Sequence, residues 1–309
     1  MASHIIEPER RTLHGHFSRD LTPILEIEPG DTVQYRTLDA AWHSIPDVKF
    51  EPRNHVLDKG HALCGPLLIR GAKPGMALEV HIDRIVPAPF GFTVAGGWSS
   101  ETNDWLGVGE GTEEYLLKWS LDAANNTGTD QFGHTLALRP FMGVMGMPPA
   151  ERGIHPTAPP RVTGGNIDCK ELVESSTLYL PIAVDGGLFS VGDGHALQGD
   201  GEVCTTAIEC PMEQVTLTFN LRDDLSIATP RANTPAGWLT LGFHKDLQEA
   251  NMIALAAMLD LMMEQYSFSR LEALALASLV VDMHVTQIVN GVRGVHAILP
   301  HDVLNGAPA

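Results

Sequence analysis

Positive charge is scarce in this chain of 309 residues: 20 Lys+Arg stand against 38 Asp+Glu, for a formal net charge of −18. Such a balance repels nucleic acid and anionic lipid unless a basic patch offsets it, and no basic run exceeds Arg10-Arg11. No nucleic-acid or membrane partner is expected. Long apolar runs are lacking too. The most apolar stretch, Met252 to Met263, contains Asp260 and is too short to cross a bilayer. Cysteine is sparse, and Cys64, Cys169, Cys204 and Cys210 show no C-x-x-C spacing, so they read as buried thiols. No apolar run follows Met1-Ala2-Ser3-His4, where a secretory leader would have one, and a cytoplasmic location is expected. A Gly-x-Ser-x-Gly nucleophile motif is missing, and Cys64 has no base beside it in sequence.

What remains is a globular composition, 44% hydrophobic and 19% charged, with 30 glycines and 21 prolines to make turns. Most of the chain reads as short strands. Ile24 to Glu28 alternates, Pro29-Gly30-Asp31 turns, and Thr32 to Arg36 alternates again. Gly65 to Ile69 is a short apolar run; the Lys73-Pro74-Gly75 turn follows, and then the alternating Ala77 to Ile82. Thr177 to Val184, Asp185-Gly186-Gly187 and Leu188 to Val191 predict a hairpin, and residues 213–222 another strand. The last quarter differs. Asp246 to Gln265 is rich in Leu, Met and Ala, and Ser269-Arg270-Leu271-Glu272 has capping-box form. Thr286 to Val289, Asn290-Gly291 and Val295 to Leu299 predict a second hairpin. The expected class is α+β and mostly β. A β-rich part is placed at 1–139 and a site-bearing β region with C-terminal helices at 140–309, the two intertwined.

The helix near 247–265 carries Leu255, Met258, Leu259, Leu261 and Met262 on more than one face. A helix apolar all round must be buried by something, which favours a homodimer or higher homo-oligomer. Glu101, Asp104, Glu110, Glu113 and Glu114, with Trp98 and Trp105, read as a solvated loop or a rim.

Chemistry concentrates in residues 156–202. Pro156-Thr157-Ala158-Pro159-Pro160 stiffens the backbone before Gly164-Gly165-Asn166-Ile167-Asp168. Further on lies Gly192-Asp193-Gly194-His195, then Gly199-Asp200-Gly201-Glu202. Asp193 and His195 are two apart, so an extended backbone sends both side chains to one face. With Asp168 they make a mixed nitrogen and oxygen set that suits a divalent metal, zinc foremost and manganese or iron less selectively. The same Asp-Gly pairs also fit ordinary turns that need no metal. Glu202 is not a turn former, which marks it as general base, with metal ligand as its other role. His43, following Trp42, and His61, preceding Cys64-Gly65-Pro66, are candidates to face a substrate, as is Asn166.

These segments, with Asp39-Ala40, Gly65-Pro66, Gly71 to Gly75, Arg139 to Gly146 and Thr286 to Asn290, resemble the acetamidase/formamidase family from about residue 20 to about residue 300. One departure is Pro160-Arg161-Val162-Thr163, where relatives often carry a Gly-Arg-His-type sequence. The resemblance implies a jelly-roll-like β domain with an added α/β part, homo-oligomers, and a divalent metal. It also implies hydrolysis of the C–N bond of a small linear amide of the acetamide or formamide type by a metal-activated water. Hydrolysis of γ-lactams on the same scaffold, or metal-dependent binding of a small molecule without catalysis, are its alternatives. In this reading Asp168, Asp193 and His195 hold the metal, Glu202 is the base, and backbone N–H groups of residues 164–166 help to hold the oxyanion.

Overall fold

The computed structural model describes residues 2–304, which form an α+β fold with far more strand than helix. A nine-stranded sheet runs, edge to edge, through Ser3–Ile6, Thr32–Thr37, Met212–Arg222, Ala77–Pro87, Thr177–Pro181, Arg231–Thr234, Gly237–His244, Arg293–Leu299 and Asp282–Gln287. A six-stranded sheet runs through Gly164–Asn166, Phe141–Gly146, Gly187–His195, Leu63–Ile69 and Leu13–His14, with Leu25–Ile27 parallel to Leu63–Ile69. A smaller sheet takes Thr135–Ala137, Thr127–Asp130, Tyr115–Asp122 and Phe90–Ala95. Both large sheets draw strands from either side of residue 140.

The main core joins the two large sheets. Val215, Leu217 and Phe219 alternate inward from Met212–Arg222, as a half-buried strand requires. Phe219 meets Phe189 of the other sheet edge to face, with ring centroids 5.0 Å apart. Gly187–His195 is buried at every position, so it shows no alternation, and its Gly-Asp-Gly-His end is carried inside the protein.

The turns are where expected, but they do different work. Thr177–Pro181 and Gly187–His195 do not form a hairpin. The first pairs with Ala77–Pro87 and Arg231–Thr234, the second with Phe141–Gly146 and Leu63–Ile69. Residues 182–186 carry the chain from one sheet to the other, with Gly186 at φ 76° and its N–H donating to Ala72 O. The turn at 29–31 likewise joins strands of different sheets. A local turn signal reports a reversal and not which partner the next strand finds. The predicted C-terminal hairpin does form, between Asp282–Gln287 and Arg293–Leu299, with Ile288 and Val289 in its connection and not in the strand.

The helix Leu247–Tyr266 is capped by Asp246, and Arg270–Val280 opens with the full Ser269–Glu272 capping box. The longer helix buries Ala250, Ala254, Met258, Leu261 and Met262 in a second core with Val295, Ala297 and Leu299. No helix among the described residues is long and apolar enough to cross a membrane. All four cysteines are free, and burial pushes the Cys64 thiol up to about 12, where it is no nucleophile. The acidic 101–114 segment opens as the short helix Glu101–Trp105, capped by Ser100, and continues as a largely solvated loop, with Trp105 89% exposed.

Candidate active site

Two strands and the segment 199–210 between strands bring the site together. Asp168 follows the Gly164–Asn166 strand, and Asp193 and His195 end the Gly187–His195 strand. Their ligand-bearing atoms lie within 4.8 Å of one another, as do those of His195, Glu202 and Glu209. All five residues are buried. His195 Nε2 is 3.3 Å from both Asp193 Oδ1 and Glu209 Oε2, and its ring packs edge-on against Phe141. The same-face placement of Asp193 and His195 therefore holds, and Asp193-Gly194 lies within a strand and not in a turn.

Backbone geometry marks the same place. Asp168 (φ 52°), Asp193 (φ 60°) and Glu202 (φ 46°) all adopt the left-handed region, which costs a non-glycine residue energy and is tolerated mostly by Asn and Asp. Gly143 provides the room. A Cβ on it would stand 2.6 Å from Asp193 Oδ2, 2.8 Å from Asp168 Oδ1 and 2.8 Å from His195 Cε1. Its carbonyl accepts from Ile167 N and Asp168 N, tying the two strands together beneath the cluster.

Four carboxylates and one imidazole in so small a volume carry more negative charge than His195 balances. Burial, reinforced by Glu202, raises Asp168 well above the carboxylate range, although His195 opposes it. Burial pushes Glu202 up to about 8 and raises Glu209, again against His195. Asp193 goes the other way: burial would raise it, but His195 and His61 hold it low. For His195 burial favours the neutral ring, yet Glu209 and Asp193 outweigh it and raise the imidazole well above its usual value. Asp168 Oδ1, Asp193 Oδ1, His195 Nδ1, Glu202 Oε2 and Glu209 Oε2 are buried without hydrogen-bond partners. Unpaired buried oxygens beside an imidazole are the donor set a divalent cation neutralises, so the residues fit such an ion.

Asp193, Glu202 and Glu209 line a cavity of about 690 Å³, together with Asn166, His61 and Asn290. His61 is fixed there by Thr157, whose Oγ1 lies 2.9 Å from both its backbone N and its Nδ1. His43 is not on this cavity. It is held by Asp39 Oδ2 at 2.9 Å and lines a neighbouring cavity with Phe90 and Trp119. Asp200 stands apart as well, its carboxylate taken by Lys170 Nζ (2.8 Å) and His284 Nδ1 (3.0 Å). Gly164 N donates to Arg161 O and is not free to hold an oxyanion.

Two participants escaped sequence reasoning. Glu209 sits in Ala207-Ile208-Glu209-Cys210, and a lone acid in an apolar run was the available signal. Asn290 fell in a turn dipeptide, which gave no hint of a role.

The acetamidase/formamidase family model matches residues 2–155 and 150–305. The chain is 47% identical to an acetamidase of Mycolicibacterium smegmatis over 62% of this chain and 61% of that protein. It is 26% identical to a formamidase of Methylophilus methylotrophus over 62% of this chain and 59% of the other. The matched segments thus span about three fifths of these curated relatives' own length. In three dimensions it resembles the crystal structure of an acetamidase from Bacillus halodurans, with a TM-score of 0.83 and 26% identity over 96% of this chain and 97% of that one. By sequence along its whole length and by fold, the chain belongs to the acetamidase/formamidase family.

Proposed function

We propose that this protein hydrolyses the C–N bond of a small amide, of the acetamide or formamide type, with the aid of a divalent ion held by Asp168, Asp193 and His195. The convergence of these three side chains with Glu202 and Glu209 at the buried end of an open cavity carries the reading. An amide is stabilised by resonance and its nitrogen leaves poorly. Hydrolysis therefore requires an activated water, relief of charge on the tetrahedral oxygen, and a proton for the amine. Asp168, Asp193 and His195 would hold such an ion, three protein ligands being the set that suits zinc, and when bound it would supply Lewis acidity towards a water and the amide carbonyl. Glu202 removes the water's proton and returns it to the leaving nitrogen, the work of a positioned carboxylate beside the proposed ligands. Glu209, against His195, fixes the imidazole's orientation. With the Gly164 N–H engaged, the Asn166 carboxamide, which lines the cavity, is the side-chain donor for the oxyanion.

The four free thiols suit a reducing, cytoplasmic setting. Leu271 (80% exposed) and Leu279 (79%) on the Arg270–Val280 helix give a homodimer an apolar face. Ammonia release from formamide and acetamide, and formation of the ring-opened amino acid from a γ-lactam, before and after chelation with elemental analysis of the protein, test the reading. Turnover of the linear amides that is lost with the metal and restored by zinc is expected. Full activity in metal-free protein contradicts the ion's role, turnover of the lactam alone selects the lactamase alternative, and no turnover selects the binding alternative.

A further inference from the structure

We propose that the preferred substrate carries a carboxylate on its acyl part, remote from the scissile amide, and that Arg53, Lys49 and Lys59 receive it. The amide end of this proposal rests on the function proposed above; the anion subsite stands on separate observations. All three cations line the same cavity as Asp193, Glu202 and Glu209. None of the three forms an ion pair among the described residues, in a chain with 38 acidic groups against 20 basic ones. Elsewhere cations find acids readily, as in Arg10–Asp58, Lys118–Asp47 and Lys170–Asp200. Three unpaired cations from the one segment 49–59 in an acid-rich protein add local positive potential, which attracts an anion and steers its approach.

Arg53 is the fixed member. Its guanidinium lies over the Trp42 ring at 4.9 Å and Nη2 donates to Asp58 O at 2.9 Å, while its buried Nε has no partner. The Asp58 carboxylate does not compensate it, being taken by Arg10 Nη1 (2.6 Å) and Asn54 N (2.8 Å). Glu51 accepts from the backbone N–H of Arg53 and not from its guanidinium. An oriented guanidinium with free donors is the side chain suited to a carboxylate, and the two exposed lysines add charge without fixed geometry. The same cavity also carries the carboxylates of Asp193, Glu202 and Glu209, which repel a second carboxylate. Binding of the substrate's carboxylate by Arg53 therefore leaves its amide for Glu202. Trp42, Leu57 and Ile154 supply apolar surface for the methylenes between, and about 690 Å³ is far more room than a two-carbon amide fills.

Ammonia release is measured with the full chain, metal-loaded, on succinamate and on the uncharged 4-oxopentanamide of similar length. The expected kcat/KM is at least tenfold higher for succinamate, with the ratio collapsing towards one in Arg53→Gln and in the Lys49→Gln/Lys59→Gln double variant through a raised KM. The double variant touches only exposed side chains, so it reports even if Arg53→Gln fails to fold. Calorimetric binding of succinate to wild type and double variant gives a readout independent of turnover. A ratio near one in wild type, or a ratio and succinate affinity unchanged in the folded variants, overturns the proposal. If no amide releases ammonia the amidase reading fails, and succinate binding alone decides: affinity lost in the variants supports the anion subsite, and no binding to wild type overturns it.

Discussion

The Asn290 side-chain amide donates to Asp168 Oδ2 at 2.7 Å, joining the turn of the C-terminal hairpin to a site carboxylate 122 residues earlier in the chain. The turn is itself braced, since Gln287 Oε1 accepts from Val289 N and Asn290 N while Nε2 donates to Val292 O. With Oδ2 engaged, Asp168 Oδ1 is the oxygen left for an ion. Asn290→Asp keeps the shape but removes the donor. It should lower metal affinity or kcat/KM by roughly 10- to 100-fold, the usual effect of losing a group that orients a ligand. Chelator competition and steady-state kinetics check this, and values within twofold of wild type would remove Asn290 from the site.

Gly143→Ala should disturb the site more than the fold. The added carbon meets the side-chain ends of Asp193, Asp168 and His195 at 2.6 to 2.8 Å, so these three must shift from the geometry that brings them together. Overpacking of this kind costs about 1–3 kcal/mol, and activity should fall by more than stability explains. A variant with wild-type metal content and turnover would show the site to be more pliant than its packing indicates.

Glu202→Gln keeps size and polarity while removing the ionisable carboxylate. As the general base, its loss should cut kcat by about 10²- to 10⁴-fold with metal retained. Loss of metal along with activity would make Glu202 a ligand, because an amide oxygen is a weaker donor than a carboxylate. Near wild-type turnover would leave it neither role.

His14 makes folding acid-sensitive. Burial lowers it from 6.5 to about 4, and as a neutral ring its Nδ1 meets His16 O and its Nε2 meets Ser190 Oγ. Between these two values the unfolded chain binds a proton that the folded one refuses. The contribution of His14 is thus complete above pH 6.5 and is lost as pH falls towards 4, amounting to about 3 kcal/mol. Urea unfolding of wild type and His14→Gln between pH 7 and 4.5 should show a shallower decline in the variant. Parallel slopes would refute it.

Leu271 and Leu279 project from the Arg270–Val280 helix with about four fifths of their surface exposed. Light scattering at micromolar concentration should give a dimeric or higher mass, and Leu271→Lys/Leu279→Lys should reduce it without lowering Tm by more than a few degrees. A monomeric wild type would end the assembly proposal.

Much about this protein was legible in local chemistry. The cap at Ser269, the apolar helix before it and the proximity of Asp193 and His195 all follow from neighbours within a few residues, whereas of the four thiols expected to be buried Cys204 is only half-buried. Strand partners did not, because a turn such as 182–186 reverses the chain equally well into the same sheet or into the facing one. Only the packed sheets choose between these, by covering Gly187–His195 on both faces. The site divides in the same way. Sequence spacing could bring Asp193 to His195, but the approach of Glu209, the reach of Asn290 to Asp168 and the separation of His43 from the main cavity depend on segments far apart in the chain. Those distances were decided by tertiary structure, since burying four carboxylates together needs contacts that no local preference favours and only a completed core can hold.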